Sequence, residues 1–420
     1  MKYEGYTIRK LLVEDLTEFQ QIALKAYPVM FPENYSPEAQ QAWFDRMKSS
    51  IEEDPLMNYY GCFKSDKMIG GMIYFDFKMT LFDQLVDVGG IGLVCVDLLH
   101  KKEHAAKNIV KAFHDHYYGR GITLTALYPF RPDFYTAMGY GLGKKMNRYR
   151  FKPSTLPKGS KEHIVKLSLS DSKKTVECFN RFASGIHGMI QTNKKAKDRL
   201  FTRQNVIGYM QDNELQGFMA FTFKKVDPDN FILQDLIVEE LIYENSHALR
   251  ELLAYLNTQA DQVRYMYFHT QDDFFHYLLH DPRNGGKKIF LTSQECNLQG
   301  LGIMYRIINV RKLFTDLSTF NFRNQTVKLL ITLEDNFLKP NDGKLILYFD
   351  NGICSVMDDN HDFDAEIQLK INHFSSMFMG VVPFKKLYSL GLAHISNLDY
   401  LDTINQLFTS EHPPITTQQF

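Results

Sequence analysis

Five cysteines in 420 residues (Cys62, Cys95, Cys178, Cys296 and Cys354) are scattered and odd in number. Without a Cys-x-x-Cys pair there is no zinc-knuckle pattern, and without a dense array there is no disulfide framework. That usage fits the reduced thiols of a cytosolic protein. Charge imbalance is also missing: 48 basic residues face 49 acidic ones, for a net charge of -1. A nucleic-acid or anionic-membrane partner would want a basic excess. Long apolar runs are absent too. The best, Leu85 to Leu99, is interrupted by Asp87 and Asp97 and falls short of the roughly 20 apolar residues of a spanning helix. The opening MKYEGYTIRK lacks the apolar segment of a signal peptide. What remains is ordinary globular composition, 44% hydrophobic and 23% charged, in a length that suggests roughly three domains.

The first 150 residues alternate helix-like and strand-like patterns. Leu16, Phe19, Ile22 and Ala23 form one stripe of a helix predicted over Asp15 to Tyr27, and a second helix is predicted over Pro37 to Ile51. Met57–Phe63, Lys67–Met79 and Gln84–Val96 read as strands. Gly70 and Gly71 within the second suggest a bulge or a close backbone approach. Ile109, Val110, Phe113 and Tyr117 mark a further helical face that Gly119 and Gly121 stop, and Ile122–Tyr128 reads as a strand. Such alternation favours an α/β domain. After the linker-like KPSTLPKGSK (residues 152–161) the pattern recurs more faintly, with helices at Lys174–Ile186 and Ser246–Asn257 and strands at Leu215–Lys224, Phe231–Val238 and Tyr265–Phe268. A third segment, from near Leu301, shows strands at Val327–Glu334, Gly343–Phe349 and Ala365–Ile371. It also shows helical patterns at Asn372–Met379 and Tyr400–Phe408, and a non-helical tail, HPPITTQQF.

One stretch carries chemistry: VCVDLLHKKEHAAKNIV, Val94 to Val110. A strand that runs into a helix start presents unpaired amides and a partial positive charge, which suit a diphosphate. Such cradles usually contain glycine, and this one has none. His104 stands where bare backbone is favoured, although histidine is among the residues that tolerate a left-handed conformation. A plain strand–loop–helix connection with a solvated basic patch fits the same residues. So does a metal reading, because His100, Glu103 and His104 spell H-x-x-E-H. That motif requires one continuous helix, whereas VCVDLL runs as strand up to His100. In the second segment the matching stretch, DLIVEELIYENSHALRELLAYL, keeps strand and helix but lacks the basic pair.

The order strand, basic loop, helix, strand, followed by Leu127-Tyr128-Pro129-Phe130 and Phe134-Tyr135-Thr136-Ala137-Met138-Gly139-Tyr140-Gly141, resembles a GNAT-type N-acetyltransferase. More narrowly, the whole chain resembles the Eis (enhanced intracellular survival) family. Gly302 to Val310 looks like that family's entry into its third domain, and Asn341-Asp342-Gly343-Lys344-Leu345-Ile346-Leu347 resembles the DGKL strand of sterol-carrier folds. The resemblance implies an α/β (α+β) chain of two tandem GNAT-like mixed sheets with flanking helices, the second degenerate, plus a sterol-carrier-like α+β domain. The expected limits are 1–151, 162–298 and 300–420, with the tail returning to the active site.

The resemblance also implies roles. Acetyl-CoA is the expected donor, with no metal. Val94, Cys95 and Val96 would pair with its pantetheine arm. Lys102, Glu103, His104, Ala105, Ala106 and Lys107 would cradle the pyrophosphate, while Phe130 and Arg131 would border the reactive end. Tyr135 would be the general acid and the terminal carboxylate of Phe420 the general base. A protonated amine must shed a proton before attack and the leaving thiolate needs one back, so an acid and a base suit the reaction. The expected acceptor is a primary amine of a small molecule, such as an aminoglycoside-like polyamine, or of a lysine side chain. A homo-oligomer, a hexamer in that family, is expected. The competing reading is an apolar-ligand carrier with a vestigial acetyltransferase site, its cavity lined by Met377, Phe378, Met379 and Phe384.

Overall fold

A computed structural model of the chain describes residues 2–3, 5–30, 35–286, 290–358, 362–418 and 420. The first sheet takes β1 (Lys2–Tyr3), β2 (Tyr6–Lys10), β3 (Met57–Lys64), β4 (Lys67–Leu81), β5 (Gln84–Val96), β6 (Leu124–Leu127) and β7 (Gly141–Leu142). Neighbours are antiparallel except β5 and β6, which run parallel. Helix α1 (Leu16–Ala26) buries Leu16, Phe19, Ile22 and Ala23, the predicted stripe. Helix α2 (Pro37–Glu53) begins at a Ser36 side chain that accepts the Ala39 amide, with proline in the first turn. Helix α3 (Ala105–Gly119) buries Ile109, Val110, Phe113 and Tyr117 against this sheet, and Gly121, at φ +74°, turns the chain out of it. A short α4 (Pro132–Thr136) follows.

The second sheet repeats the plan with β8 (Met146–Phe151), β9 (Ile164–Lys166), β10 (Asn205–Gln211), β11 (Glu214–Asp227), β12 (Asn230–Tyr243), β13 (Val263–Thr270) and β14 (Asn297–Gly300), in the order β14-β8-β13-β12-β11-β10-β9. Again one pair, β12 with β13, is parallel. Its helices are α5 (Ser172–Ser184), α6 (Lys194–Arg203) and α7 (Ser246–Asn257). Sheet membership crosses the linkers. β8 precedes the 152–161 stretch yet pairs in the second sheet, while β15 (Met304–Ile307) slots between β6 and β7 of the first.

The third sheet has the order β18-β17-β16-β19-β20. Its strands are β16 (Val327–Glu334), β17 (Gly343–Asp350), β18 (Ile353–Val356), β19 (Ala365–Lys370) and β20 (Ala393–Ile395). With α8 (Val310–Asp316) and α9 (Ile371–Phe378) it shares one hydrophobic core with Met79, Leu81, Val88, Leu124 and Ala126 of the first sheet. A buried ion pair pins this junction. Arg306 of β15 donates to Asp335 at 2.7 and 2.9 Å and to the Met138 carbonyl, while Asp335 also accepts the amides of Phe337 and Leu338. Those extra donors matter, because a buried carboxylate with a single partner seldom repays its desolvation. Gly139, at φ +84°, lies against the Arg306 guanidinium, where a Cβ would collide. That contact explains the glycine in Met-Gly-Tyr-Gly. Met377, Phe378, Met379 and Phe384, expected by the carrier reading to line a cavity, are instead buried in the shared core. None of them lines either large cavity described below. No helix among the described residues is long and apolar enough to cross a membrane.

Candidate active site

Strands β5 and β6 hold register over only three pairs, Val88 with Leu124 to Gly90 with Ala126. Beyond Gly90 they part. On its other side β5 shifts register against β4 between Gly71 and Ile73, and Leu93 takes a φ of +47°. The register shift is the irregularity that Gly70 and Gly71 suggested. A Cβ on Gly70 would meet the Cys95 carbonyl at 2.6 Å, and one on Gly71 the Phe19 ring at 2.7 Å. The fork opens into a cavity of about 930 Å³ lined by Val94, Phe130, Tyr135 and Phe420, together with Tyr27, Trp43, Gly92 and Tyr128.

Four of the sequence-derived candidates therefore share one space. Tyr135 is 3% exposed, in a ring cluster with Phe130, Phe134 and Tyr140 at centroid distances of 5.9, 5.2 and 5.9 Å. Burial pushes its phenol well above the usual tyrosine range, with the nearby phenols of Tyr27 and Tyr140 adding to the shift, so the group stays protonated at neutral pH. Phe420 arrives from the third domain. The Ile415 amide donates to the His187 carbonyl at 2.9 Å, the Thr416 amide to Gln271 at 2.8 Å, and Tyr128 to the Gln418 carbonyl at 3.0 Å. The Phe420 ring then packs against Phe77, Tyr128 and Phe75 at 4.8, 5.3 and 5.5 Å. Its carboxyl carbon lies 3.3 Å from where a Cβ on Gly92 would sit. The absent side chain at Gly92 is what leaves room for that terminus.

Other candidates are placed differently. The Cys95 thiol turns into the core beneath the strand, donating to the Gly71 carbonyl at 3.6 Å, and burial pushes its pKa up to about 12. Arg131 pairs with Asp133 at 2.5 Å on the surface, and Val96 lies half-buried against the α3 core. Lys102 to Lys107 form the loop and first turn of α3. His104 is the N-cap in the left-handed region, φ 64° and ψ 6°, and makes no side-chain cap hydrogen bond. Lys102, at φ +68°, shares that conformation, so two left-handed residues shape the turn without glycine. Glu103 would set a negative charge beside a diphosphate. Instead Lys64 binds it at 2.9 Å and His100 at 3.2 Å, and this pairing, led by Lys64, holds its carboxyl below the usual range. His100 lies in the short Leu98–His100 turn, outside the helix that His104 caps. Among the described residues no three His, Cys, Asp or Glu side chains form a metal-holding group.

The second sheet treats its matching helix start differently. The Asn245 side chain accepts from the amides of His247 and Ala248 at 3.0 and 2.9 Å. The donors left uncapped in α3 are consumed in α7. A second cavity of about 1060 Å³, bordered by β12, β13 and the tail, meets the first at Tyr128 and Phe420.

Residues 7–143 match an acetyltransferase (GNAT) domain family, residues 183–307 another acetyltransferase (GNAT) domain family, and residues 310–416 a sterol carrier protein domain family. The chain carries two acetyltransferase (GNAT) domains followed by a sterol carrier protein domain. Among solved structures, a GCN5-related N-acetyltransferase from Anabaena variabilis is 17% identical with a TM-score of 0.80, covering 99% of this chain and 100% of that one. A GCN5-related N-acetyltransferase from Kribbella flavida gives 15% and 0.77, over 99% and 98% of the two chains. Eis1 from Mycobacterium abscessus gives 16% and 0.75, over 99% and 100%. At these identities the likeness is one of fold, and it extends over all three parts. No curated protein matches at the sequence level.

Sequence reasoning missed several residues of this candidate site. Tyr27 donates to the Val94 carbonyl at 2.5 Å, and its ring meets Phe130 at 6.4 Å. Burial pushes its phenol up to about 12. Phe75, Phe77 and Tyr128 form the seat for Phe420. Only Gly92 carried a signal, a glycine inside a strand at a point of close approach.

Proposed function

We propose that this acetyltransferase moves the acetyl group of acetyl-CoA to a primary amine, of a small molecule or a lysine side chain, by direct attack at the β5–β6 fork. The single observation that supports this best is the meeting of Tyr135 and the Phe420 terminus in one cavity at that fork. Uncapped amides at the head of α3, helped by the helix dipole, suit the diphosphate. Beyond Gly90 the fork leaves β5 without β6 as a strand partner, which opens that edge to the pantetheine arm. The Phe420 carboxylate takes the proton that the ammonium must lose, directly or through a water, and the amine nitrogen attacks as the C–S bond breaks. The Tyr135 hydroxyl returns a proton to the departing sulfur. Its raised pKa keeps that proton available. The same cavity holds the acceptor on the side of Trp43 and Tyr59.

The test is CoA release from acetyl-CoA with a panel of primary amines, beside the acetyl-CoA-dependent melting shift that any ligand of the folded state produces. Tyr135→Phe is expected to lower kcat by about 10²-fold or more with the melting shift intact. Unchanged kcat would remove Tyr135 from the mechanism, and loss of the melting shift would assign it to donor binding.

A further inference from the structure

The acceptor side of the cavity is lined by two helices from different domains. Lys195 of α6 reaches the Ser49 carbonyl at 3.0 Å and Glu53 at 3.4 Å, both on α2, which clamps the helices together. Arg199 follows Lys195 by four residues, and Arg46 precedes Ser49 and Glu53 by three and seven. These spacings put each arginine on the clamped face of its helix. Both line the cavity.

Most of the cavity's other charges cancel. Asp76 is paired with Arg120 at 2.6 Å and Asp87 with Lys78 at 2.9 Å. Arg46 and Arg199 have no ion pair among the described residues, and Asp54, which caps the Leu56 amide at 3.2 Å, is the one acidic lining residue left over. The buried Tyr59 hydroxyl lies within the fields of all three. Apart from the Phe420 carboxylate, the lining therefore carries a surplus of one positive charge.

We infer that the acceptor is a zwitterion, an amine that also bears a carboxylate, with Arg46 and Arg199 gripping the carboxylate while the amine meets Phe420. The inference rests on the transferase reading above and narrows it away from polycationic amines, which two unpaired guanidinium groups would repel. Guanidinium groups suit the role because their planar donors match a planar carboxylate.

The experiment compares three five-carbon acceptors at low ionic strength by CoA release: 5-aminopentanoate, pentylamine and 1,5-diaminopentane. The expected order of kcat/KM is carboxylate, then neutral amine, then diamine, with the carboxylate about fivefold above pentylamine, as two exposed ion pairs allow. Added salt shrinks that ratio. In the Arg46→Gln/Arg199→Gln double variant it falls to about one, through KM. Pentylamine or the diamine matching the carboxylate in the native protein overturns the inference, as does a ratio that survives in the double variant. Absence of release with 5-aminopentanoate overturns it too. Loss of the acetyl-CoA melting shift in the native protein would instead overturn the transferase reading beneath it.

Discussion

Adding a single glycine after Phe420 is the sharpest test of the terminal base. The Phe420 ring keeps its seat against Phe75, Phe77 and Tyr128, and the upstream hydrogen bonds of Ile415, Thr416 and Gln418 are untouched. What moves is the charge, by about 3.5 Å, the span of one extended residue. In its native place the carboxyl carbon lies beside Gly92 in the fork. After the extension that position holds a neutral amide, which cannot accept the amine's proton. General-base catalysis contributes about 10²–10⁴-fold, so kcat/KM should fall by at least about 10²-fold, or about 2.7 kcal/mol of transition-state stabilisation. The proposed donor cradle lies at the head of α3, so the acetyl-CoA melting shift should persist. Stability should hardly change, since no buried ring is lost. Deleting Phe420 should lower turnover as far and destabilise as well. The assay is steady-state CoA release for the three chains. If the extended protein turns over within about threefold of the native one, the carboxylate is not the base, and the ring contacts are structural only.

Two further predictions concern the loop and the tail. His104→Gly should retain the acetyl-CoA melting shift and raise stability by up to about 1 kcal/mol, because a left-handed histidine without a cap bond carries strain that glycine does not. His104→Val should cost about 1–2 kcal/mol and weaken the shift, and loss of binding in the glycine variant would show that the imidazole itself holds the donor. His187 is buried, takes the Phe82 amide at 3.0 Å and faces the Met379 carbonyl at 3.1 Å, and burial lowers its pKa to about 4. Its folded value lies below the unfolded 6.5, so the stability tied to the neutral ring is complete above pH 6.5. It is lost as pH falls toward 4, by up to about 3 kcal/mol. Native protein minus His187→Gln, followed by urea melts from pH 7.5 to 4.5, should show that slope. Parallel curves would refute it.

Much of the scaffold was legible because its apolar periodicity is strong. Ser246–Asn257 and Val327–Glu334 have the observed limits of α7 and β16, and Leu16, Phe19, Ile22 and Ala23 mark the buried face of α1. Helix α6 was not legible: KKAKDRLFTR has too few apolar residues for a stripe, and its position comes from the Asn193 cap and the Lys195 clamp. Nor was the exchange of β8 and β15, since period-two patterning gives a strand's faces and not its partner. At the site, His104 showed its left-handed tolerance in its residue type. The neutralisation of Glu103 by Lys64 lies 39 residues away in sequence, and the seat of Phe420 is built from β4, Tyr128 and two bends of the second domain. No local pattern encodes contacts of that reach.

The two GNAT domains also show why one chain would support one active site of this kind. Each has a parallel strand pair, β5 with β6 and β12 with β13, whose first strand leads through a loop into the helix that connects the two. A diphosphate needs amides with no other partner. In α7 the Asn245 side chain has taken two of them, and displacing it would cost both hydrogen bonds before any ligand bond formed. The base proposed above would impose a stricter limit, because a chain has only one terminal carboxylate. Once the tail is held by His187 and Gln271, its carboxylate reaches Gly92 of the first sheet and its ring stands between the two cavities. On the proposed mechanism a cradle in the second domain would have no base to serve, while α6 of that domain still lines the first cavity with Arg199, as α2 does with Arg46.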